Sequence, residues 1–387
     1  MNTKTFIPQT RQEMEEGDIQ EVICSLRENC ITRGKRARKF EEEIALFCGA
    51  KYAVSFNSGT SALSAAYFAI DLAASDQVIT SPNTFIGTIT EAIRKRARLS
   101  FVDIEEKSGN LSIEKIRKNP PSLSSRGKNC FVPVHFAGVA VDVKKLDRLL
   151  TPNCLIIEDA AQALGSLYPD GSRVGGCLYS DLTIFSFHPA KIITTGEGGA
   201  VTTNDALLYQ RLLLYRNNGM KRKIERGRRE YHIMEASGNF HLTEFQAALG
   251  KSQLARLPSL VQKRREIVAR YRKQLSSLQT ICLPQEEWDE RTAYQLLSFS
   301  IDFSQYSLDR NELIEKLYER GIGTDVHYLP LYHHPLLQKN YPHLSEEEYP
   351  ETEKFFSRQL SLPLYSHLSE EQVDTVCFHL KELLQSK

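Results

Sequence analysis

Two patterns of apolar residues alternate along the first half of the chain. Short continuous apolar runs predict buried strands, and the segments between them carry apolar residues every three or four positions, as amphipathic helices do. Strands that alternate with helices in this way are typical of an α/β domain. The runs that predict strands are 52–56, 78–82, 99–103, 131–136, 155–159, 182–185 and 200–203.

The rest of the chain predicts a second, smaller domain. A long helical pattern follows Gly250 and ends near Gln274. We place the domain boundary around Leu257, so that residues 1–256 form the larger domain and residues 257–387 form a C-terminal α+β domain. Its predicted strands are 296–301 and 323–328, its helices are 308–320 and 370–384, and a loop is expected at 363–364.

The N-terminal residues predict a helical arm ahead of the first strand. Residues 12–26 form an amphipathic pattern whose apolar stripe includes Ile19, Val22 and Leu26. The basic run 31–39 then leads into another helix. A basic run can bind nucleic acid, but a solvated helix start is its commoner use, and a net charge of +1 gives no general attraction to polyanions. No nucleic-acid partner is expected.

Composition is that of an ordinary globular protein, and 387 residues are enough for two domains that share a site. No apolar run approaches the ~20 residues of a membrane helix, and the polar N-terminus lacks the apolar core of a signal peptide. The eight cysteines are scattered without a CxxC pair, so we expect reduced thiols in a cytoplasmic protein. No G-x-G-x-x-G motif or P-loop occurs, which excludes the simple NAD and ATP folds.

A single lysine stands in the stretch that follows the apolar run 182–185. Residues 186–199 read SFHPAKIITTGEGG, with Lys191 between apolar and small residues ahead of a glycine-rich turn. Burial disfavours the charged form of an amine, and a neutral amine attacks carbonyl carbons to form Schiff bases. An ordinary strand-to-loop junction, with the lysine pointing to solvent, accounts for the pattern equally well.

An acid ends the strand predicted at 155–159. Asp159 is therefore expected at the carboxyl end of a strand, where ligands of open α/β sheets bind. Enzymes that use pyridoxal 5'-phosphate (PLP) need a lysine for the aldehyde and a carboxylate that keeps the pyridine nitrogen protonated. Aspartate is also a good helix N-cap, so that alternative stays open.

Two further stretches offer groups that such a cofactor uses. Gly59 and Thr60 follow the strand 52–56 and open a helix, and a helix N-terminus made of small residues suits a phosphate. Phe85 follows the strand 78–82, where an aromatic ring can stack on a pyridine ring. A plain capped helix and an ordinary core phenylalanine are the alternatives.

Four ordered motifs together resemble the DegT-type sugar aminotransferases. They are NSGTSAL at 57–63, EDAAQ at 158–162, the stretch 186–199, and the stretch 238–250 that begins with GN. The resemblance covers nearly the whole chain. It implies a fold-type I PLP aminotransferase with a large mixed-sheet α/β domain and a smaller C-terminal α+β domain, assembled as a homodimer with shared active sites. Within the family, the chain is most similar to the pseudaminic-acid branch, which aminates C4 of a UDP-linked 4-keto-6-deoxy hexose.

The resemblance also implies a role for each matching residue. Lys191 holds PLP, Asp159 pairs with the ring nitrogen, and Gln162 hydrogen-bonds the ring hydroxyl. The remaining assignments are Gly59, Thr60 and Ser186 to the cofactor phosphate, Phe85 to stacking on the ring, Asn239 to the phosphate of the partner subunit's cofactor, and His327, Tyr328 and Thr32 to the substrate.

Two features leave open which positively charged side chains would contact the phosphate or carboxylate groups of the ligands. His241 stands where the family usually has arginine or lysine, which puts any phosphate or carboxylate contact from that cation in doubt. Residues 220–229 predict a polar, basic loop, which is either solvated surface or a cover for the substrate diphosphate, since arginine forks suit phosphates. No metal is expected, because the candidate ligands lack zinc-site spacing and prolines interrupt them: Asp325, His327, His333 and His334.

The expected activity is transfer of an amino group from an amino acid, glutamate by family analogy, to a nucleotide-linked keto sugar. Lys191 would be the base and acid that moves the proton. Two alternatives come from other classes. Sugar dehydratases of the family characteristically lack the lysine that Lys191 matches, and a non-catalytic regulatory homologue would not need Lys191, Asp159 and Gln162 together.

Overall fold

A computed structural model of the chain describes residues 6–225 and 228–385. The main sheet of the larger domain contains seven strands: β1 (Tyr52–Phe56), β2 (Gln77–Thr80), β3 (Arg98–Phe101), β4 (Asn129–Phe131), β5 (Cys154–Asp159), β6 (Leu182–Ser186) and β7 (Gly199–Thr203). They form one sheet in the order β1-β7-β6-β5-β4-β2-β3. Strand β7 runs antiparallel to both neighbours, and the other pairs are parallel, so the predicted mixed-sheet α/β fold is confirmed.

Helices cover both faces of this sheet. They are α1 (Glu16–Leu26), α2 (Lys35–Cys48), α3 (Gly59–Ala69), α4 (Gly87–Lys95), α5 (Ile113–Lys118), α6 (Val143–Leu149) and α7 (Ala206–Arg216). Successive strand residues enter opposite cores, because side chains alternate along a strand. Ile156 and Phe185 belong to the core that contains α2, and Ile157 and Ile184 belong to the core that contains α3.

The smaller domain packs on the end of a long helix, α8 (Glu244–Leu275). Leu254 and Leu257 of α8 lie in the core of the larger domain, whereas Val268 and Tyr271 lie in the core of the smaller one. The predicted boundary therefore falls inside a continuous helix. The remaining elements are β10 (Ile281–Cys282), β11 (Leu297–Ile301), α9 (Arg310–Glu319), α10 (Pro335–Asn340), α11 (Pro350–Arg358), β12 (Gln359–Leu362) and α12 (Glu370–Gln385), preceded along the chain by β8 (Met220–Glu225) and β9 (Arg228–Ile233).

Three predictions of local structure are wrong. The run predicted as a strand at 131–136 contains only the last residue of β4, followed by a single bridge from Val134 to Asp159 and a 3₁₀ turn that begins at Phe136. The stretch predicted as a basic loop forms the antiparallel ribbon β8–β9, in which Met220 pairs with Ile233. The strand predicted at 323–328 does not form, and one backbone bridge between Asp325 and Ser361 of β12 stands in its place. Too few backbone groups pair in this segment to make a strand.

The apolar stripe predicted on α1 faces outward in the single chain. Ile19 and Leu26 are about half exposed, and the face that packs on α8 is polar. Asp18 is buried and accepts hydrogen bonds from Ser252, at 2.6 Å, and from Arg256, also at 2.6 Å. These donors lower the pKa of Asp18 although burial acts to raise it. The arm is therefore held by a buried polar network, and its apolar side remains available for another surface.

In the described part of the chain, no helix is both long and apolar enough to cross a bilayer. All eight cysteines are free thiols, and four of them are buried.

Candidate active site

The candidate site is a cavity of about 720 Å³ at the carboxyl ends of β5 and β6, between the two domains. Nine of the eleven residues predicted from the sequence line it. They are Gly59, Thr60, Phe85, Asp159, Gln162, Ser186, Lys191, His327 and Tyr328. The other two, Thr32 and Asn239, are exposed and lie outside it.

Lys191 lies on the loop that follows β6, where its backbone N–H donates to the carbonyl of His188 at 2.8 Å. Its side chain forms no hydrogen bond or ion pair with any residue that the structure describes. Burial lowers the pKa of Lys191 to about 8, and the negative charge of Asp159 acts in the opposite direction. The amine can therefore lose its proton near neutral pH, as the buried-lysine interpretation required.

Asp159 is the last residue of β5 and is 5% exposed. Its Oδ2 accepts a hydrogen bond from the Thr88 hydroxyl at 2.7 Å, and its Oδ1 accepts one from the Ala161 N–H at 3.2 Å. Turns follow Asp159, and no helix begins there, so the N-cap alternative is wrong. Sequence reasoning missed Thr88, which lies in the first turn of α4 and whose hydroxyl is also 2.7 Å from that of Thr84, ahead of the helix.

The start of α3 meets the end of β6 at one side of the cavity. Ser58 caps α3 by accepting a hydrogen bond from the Ser61 N–H at 3.0 Å. A Cβ on Gly59 would lie 2.9 Å from the Cβ of Ser186, so only glycine permits this approach. Free backbone N–H groups and a hydroxyl are thereby collected where a phosphate would bind.

Tyr328 and Gln162 close the opposite side of the cavity. The Gln162 Nε2 donates to the Tyr328 hydroxyl at 2.7 Å, and its Oε1 accepts from the Ala137 N–H at 2.6 Å. One N–H of Gln162 is left for another acceptor, so a ring hydroxyl would have to share this amide with Tyr328. Phe85 is 59% exposed, and its ring centroid lies 6.4 Å from that of Tyr328.

His327 faces the cavity as a neutral imidazole. Its pKa is lowered to about 4, chiefly by burial and also by the charge of Lys191, while the charge of Asp325 acts to raise it. Its Nδ1 lies 3.0 Å from the Ser361 hydroxyl, and its Nε2 lies 3.8 Å from Asp325 Oδ2. His333, which the sequence analysis grouped with Asp325 and His327 as a candidate metal ligand, instead contacts Glu353 at 2.7 Å and Glu346 at 3.8 Å.

Sequence reasoning missed two glutamines of the cavity, Gln9 and Gln295. The Gln295 Nε2 donates to the carbonyl of Ala190, immediately before Lys191, and its backbone N–H donates to the Ala137 carbonyl at 3.1 Å. Neither glutamine stands in a motif, and each reaches the cavity only because distant segments meet there.

Thr32 and Asn239 lie near a second cavity of about 560 Å³. It is lined by Arg33, which follows Thr32, and by His241, two residues after Asn239. Burial, together with the charges of the surrounding arginines, lowers the pKa of His241 to about 4. Its Nε2 lies 3.2 Å from Asn217 Oδ1. At this position the chain therefore carries a neutral ring, and the positive charge of the cavity comes from Arg33, Arg211, Arg216, Lys221 and Arg222.

The sequence as a whole matches a protein-family model described as the DegT/DnrJ/EryC1/StrS aminotransferase family, over residues 12–381. The chain belongs to this family. It is an aminotransferase, and PLP is its cofactor. The residues that line the main cavity fit that cofactor, since they supply a desolvated amine, a buried carboxylate and a helix N-terminus for the phosphate.

Relatives match over almost their full length. The chain is 33% identical to the spore coat polysaccharide biosynthesis protein SpsC of Bacillus subtilis, covering 98% of this chain and 97% of SpsC. It is 32% identical to the UDP-4-amino-4,6-dideoxy-N-acetyl-beta-L-altrosamine transaminase of Campylobacter jejuni serotype O:23/36, covering 94% of each chain.

Solved structures agree with the family assignment. PseC of Helicobacter pylori, an aminotransferase involved in the biosynthesis of pseudoaminic acid, superimposes with a TM-score of 0.91 at 30% identity, over 99% of this chain and 100% of PseC. The PLP form of Spr1654 from Streptococcus pneumoniae, a sugar aminotransferase by its description, gives 0.88 at 26% identity, over 98% and 99% of the two chains.

Proposed function

We propose that the enzyme transfers an amino group from glutamate to C4 of a UDP-linked 4-keto-6-deoxy-N-acetylhexosamine, in the biosynthesis of a cell-surface sugar such as pseudaminic acid. The observation that carries this proposal is a buried, deprotonatable Lys191 in a cavity large enough for a cofactor and a sugar. The choice of sugar rests on the C. jejuni and H. pylori relatives. Eight unpaired cysteines favour a reducing compartment, the cytoplasm.

PLP, when bound, supplies an aldehyde for the amino group and a ring that accepts electrons. Lys191 Nζ is the group that takes and returns the proton, because its lowered pKa leaves part of it neutral. Asp159 is held as an acceptor by Thr88 and Ala161, so its charge can face a protonated ring nitrogen. Neutral His327 and Tyr328 line the opposite wall, where an uncharged sugar ring would lie.

A direct test is an assay of the purified enzyme with glutamate and a panel of nucleotide keto sugars, with 2-oxoglutarate and the amino sugar both measured. The proposal expects the UDP-linked 4-keto-6-deoxy-N-acetyl sugar to be the preferred acceptor. Preference for a 3-keto or a dTDP-linked sugar would overturn the choice of substrate, and loss of water without amination would overturn the reaction.

The lowered pKa of Lys191 gives a pH prediction for the apoenzyme. With a pKa of about 8, about a tenth of the Lys191 amines are neutral at pH 7, far more than for an ordinary lysine near 10.4. The rate at which apoenzyme captures PLP covalently should therefore rise with pH and level off above about 8. Stopped-flow absorbance between pH 6 and pH 10 measures this. A rate still rising steeply at pH 10 would contradict it.

We also propose that the enzyme is a homodimer in which each site is completed by the partner. The main cavity holds three carboxylates, Asp159, Glu197 and Asp325, and among the described residues that line it Lys191 is the only lysine or arginine. Its ligands would carry phosphate and carboxylate groups, which need cations. The second cavity offers such cations, and the exposed stripe of α1 offers an apolar surface for association.

Asn239 is expected to contact the phosphate of the partner subunit's PLP. A hydrogen bond to a charged group is worth roughly 1.5–3 kcal/mol, so Asn239→Ala should weaken cofactor retention by about one to two decades. Equilibrium dialysis of PLP against the purified variant measures this loss. Asn119→Ala, an exposed position outside both cavities, is the matched control and should retain PLP normally.

The trans arrangement can be separated from the contact itself by mixing chains. A dimer of one Asn239→Ala chain and one Lys191→Ala chain has one site with both lesions and one intact site if Asn239 acts in trans. That dimer should recover up to about half of wild-type activity at limiting PLP. If confirmed mixed dimers show no gain over Asn239→Ala alone, the contact is within one chain and the shared-site proposal is wrong.

A further inference from the structure

The N-terminal segment, residues 6–10, lies across the smaller domain before the chain reaches α1. The Ile7 N–H donates to the carbonyl of Gly321 at 2.8 Å, and the Gly323 N–H donates to the carbonyl of Ile7 at the same distance. A Cβ on Gly323 would lie 3.0 Å from the Gln9 nitrogen, so glycine permits this close approach. The segment is thus paired to the wall that leads to Asp325 and His327.

Two contacts fix the position of Gln9, one made by its own backbone and one made by the next residue, Thr10. The Gln9 carbonyl accepts a hydrogen bond from the Leu364 N–H at 3.0 Å, and the Thr10 hydroxyl lies 3.5 Å from the carbonyl of Ala190, next to Lys191. The position of Gln9 is therefore fixed between the smaller domain and the lysine loop, which is a requirement for a residue that orients a ligand.

Gln9 lines the main cavity, and the Nε2 of its side chain lacks a partner among the described residues. Its Nε2 is buried and donates to no residue that the structure describes. A buried donor without an acceptor is destabilising, and such groups in native proteins call for an explanation. An oxygen of a ligand in the cavity would supply the missing acceptor, since rotation of the terminal amide can turn Nε2 toward it.

The surroundings of Gln9 indicate which ligand that is. Asp325, with a side chain that is 63% exposed, stands on the same wall, and His327 beside it is neutral. A carboxylate ligand would meet the repulsion of Asp325 and gain no cation there. A neutral ring with hydroxyl, keto or amide oxygens can accept from Gln9 and donate to Asp325 at once.

We propose that the Gln9 side-chain amide hydrogen-bonds the sugar ring of the nucleotide-linked acceptor and discriminates that substrate from the amino donor. The inference rests on the proposed function, because it needs a sugar in this cavity. It assigns the N-terminal segment a direct part in the active site, with the two half-reactions expected to depend on Gln9 to different degrees.

The test compares Gln9→Leu, which keeps the size of the side chain but cannot hydrogen-bond, with Gln12→Leu, the same change at an exposed position outside the cavity. Gln9→Leu should raise the KM of the accepted keto sugar by about three- to tenfold, the loss of one hydrogen bond. The KM of glutamate should change less than about twofold. Calorimetric titration of the enzyme loaded with the aminated cofactor, pyridoxamine phosphate, which cannot react with the UDP-linked amino sugar, should show the same three- to tenfold weakening without turnover.

The outcomes separate this inference from the function on which it rests. If wild-type enzyme aminates the sugar and Gln9→Leu, with an unchanged Tm, has the wild-type sugar KM, the Gln9 assignment alone is wrong. Equal weakening toward glutamate and sugar would also overturn it, since Gln9 would then only shape the cavity. If the wild type accepts no nucleotide sugar, both proposals fall. Gln9→Glu serves as a second variant and should weaken sugar binding as well, because its carboxylate cannot donate.

Discussion

Replacement of Lys191 by alanine is expected to abolish turnover in a protein that still folds. The side chain projects into a cavity and forms no hydrogen bond or ion pair with any described residue, so the fold does not depend on it. Its loss removes both the attachment of PLP and the group that moves the proton. General acid–base catalysis alone contributes about 10²–10⁴-fold, so activity should fall by at least about 10³-fold.

Turnover with glutamate and the accepted keto sugar measures this loss, together with borohydride trapping of PLP on the protein. Lys191→Arg is the matched control for charge, because arginine keeps the length and the positive charge but stays protonated and does not attack the aldehyde. It should be as inactive as the alanine variant. Transamination by purified Lys191→Ala above about a hundredth of the wild-type rate would remove Lys191 from its assigned role.

Most of the sheet of the larger domain could be predicted because its strands are largely buried apolar runs, and because β1 to β5 alternate with helices. Residues such as Ile157 and Ile184 have no exposed face, and the run of apolar residues records this directly. The groups at the strand ends followed from the same pattern, since Asp159 ends β5 and Lys191 follows β6. Parallel strands bring such residues together at one edge of the sheet.

Contacts made across long sequence distances could not be predicted in the same way. The Gln295 amide reaches Ala190, more than one hundred residues away, and Gln9 reaches the cavity from a short segment without a regular pattern. The ribbon β8–β9 was predicted as a loop because its basic residues suit solvent, while its pairing is made by backbone groups that composition does not reveal. Pairing of this kind depends on tertiary context more than on propensity.

The α1 stripe shows a different limit. The period of its apolar residues is correct, yet in one chain the polar Asp18 is buried and Ile19 is exposed. The spacing of apolar residues identifies the apolar face of a helix but not the surface that covers it. In the single chain, the apolar side of α1 is uncovered, and Asn239 and Thr32 lie outside the main cavity. The proposed dimer would account for both observations.

Asp159→Asn is expected to bind PLP and to transaminate about 10²–10³ times more slowly, the usual cost of removing one preorganised electrostatic contact. The structure makes this a clean substitution. An asparagine at 159 can accept from the Ala161 N–H through Oδ1 and turn Nδ2 toward the Thr88 hydroxyl, which can reverse its own hydrogen bond. Shape and neighbours are thereby retained, and only the negative charge that holds a proton on the pyridine nitrogen is lost.

Thr88→Val provides the complementary control, because it removes the donor to Asp159 and leaves the charge in place. Single-turnover rates of the glutamate half-reaction should fall less in Thr88→Val than in Asp159→Asn, because Thr88→Val removes one hydroxyl donor while Asp159 keeps its charge and its contact with the Ala161 N–H. If Asp159→Asn instead reacts within about threefold of the wild type, the carboxylate would be doing no more than fixing the turn at Ala161. Charge at Asp159 would then be irrelevant to the chemistry, and the ring nitrogen would have to be held by another group of the cavity.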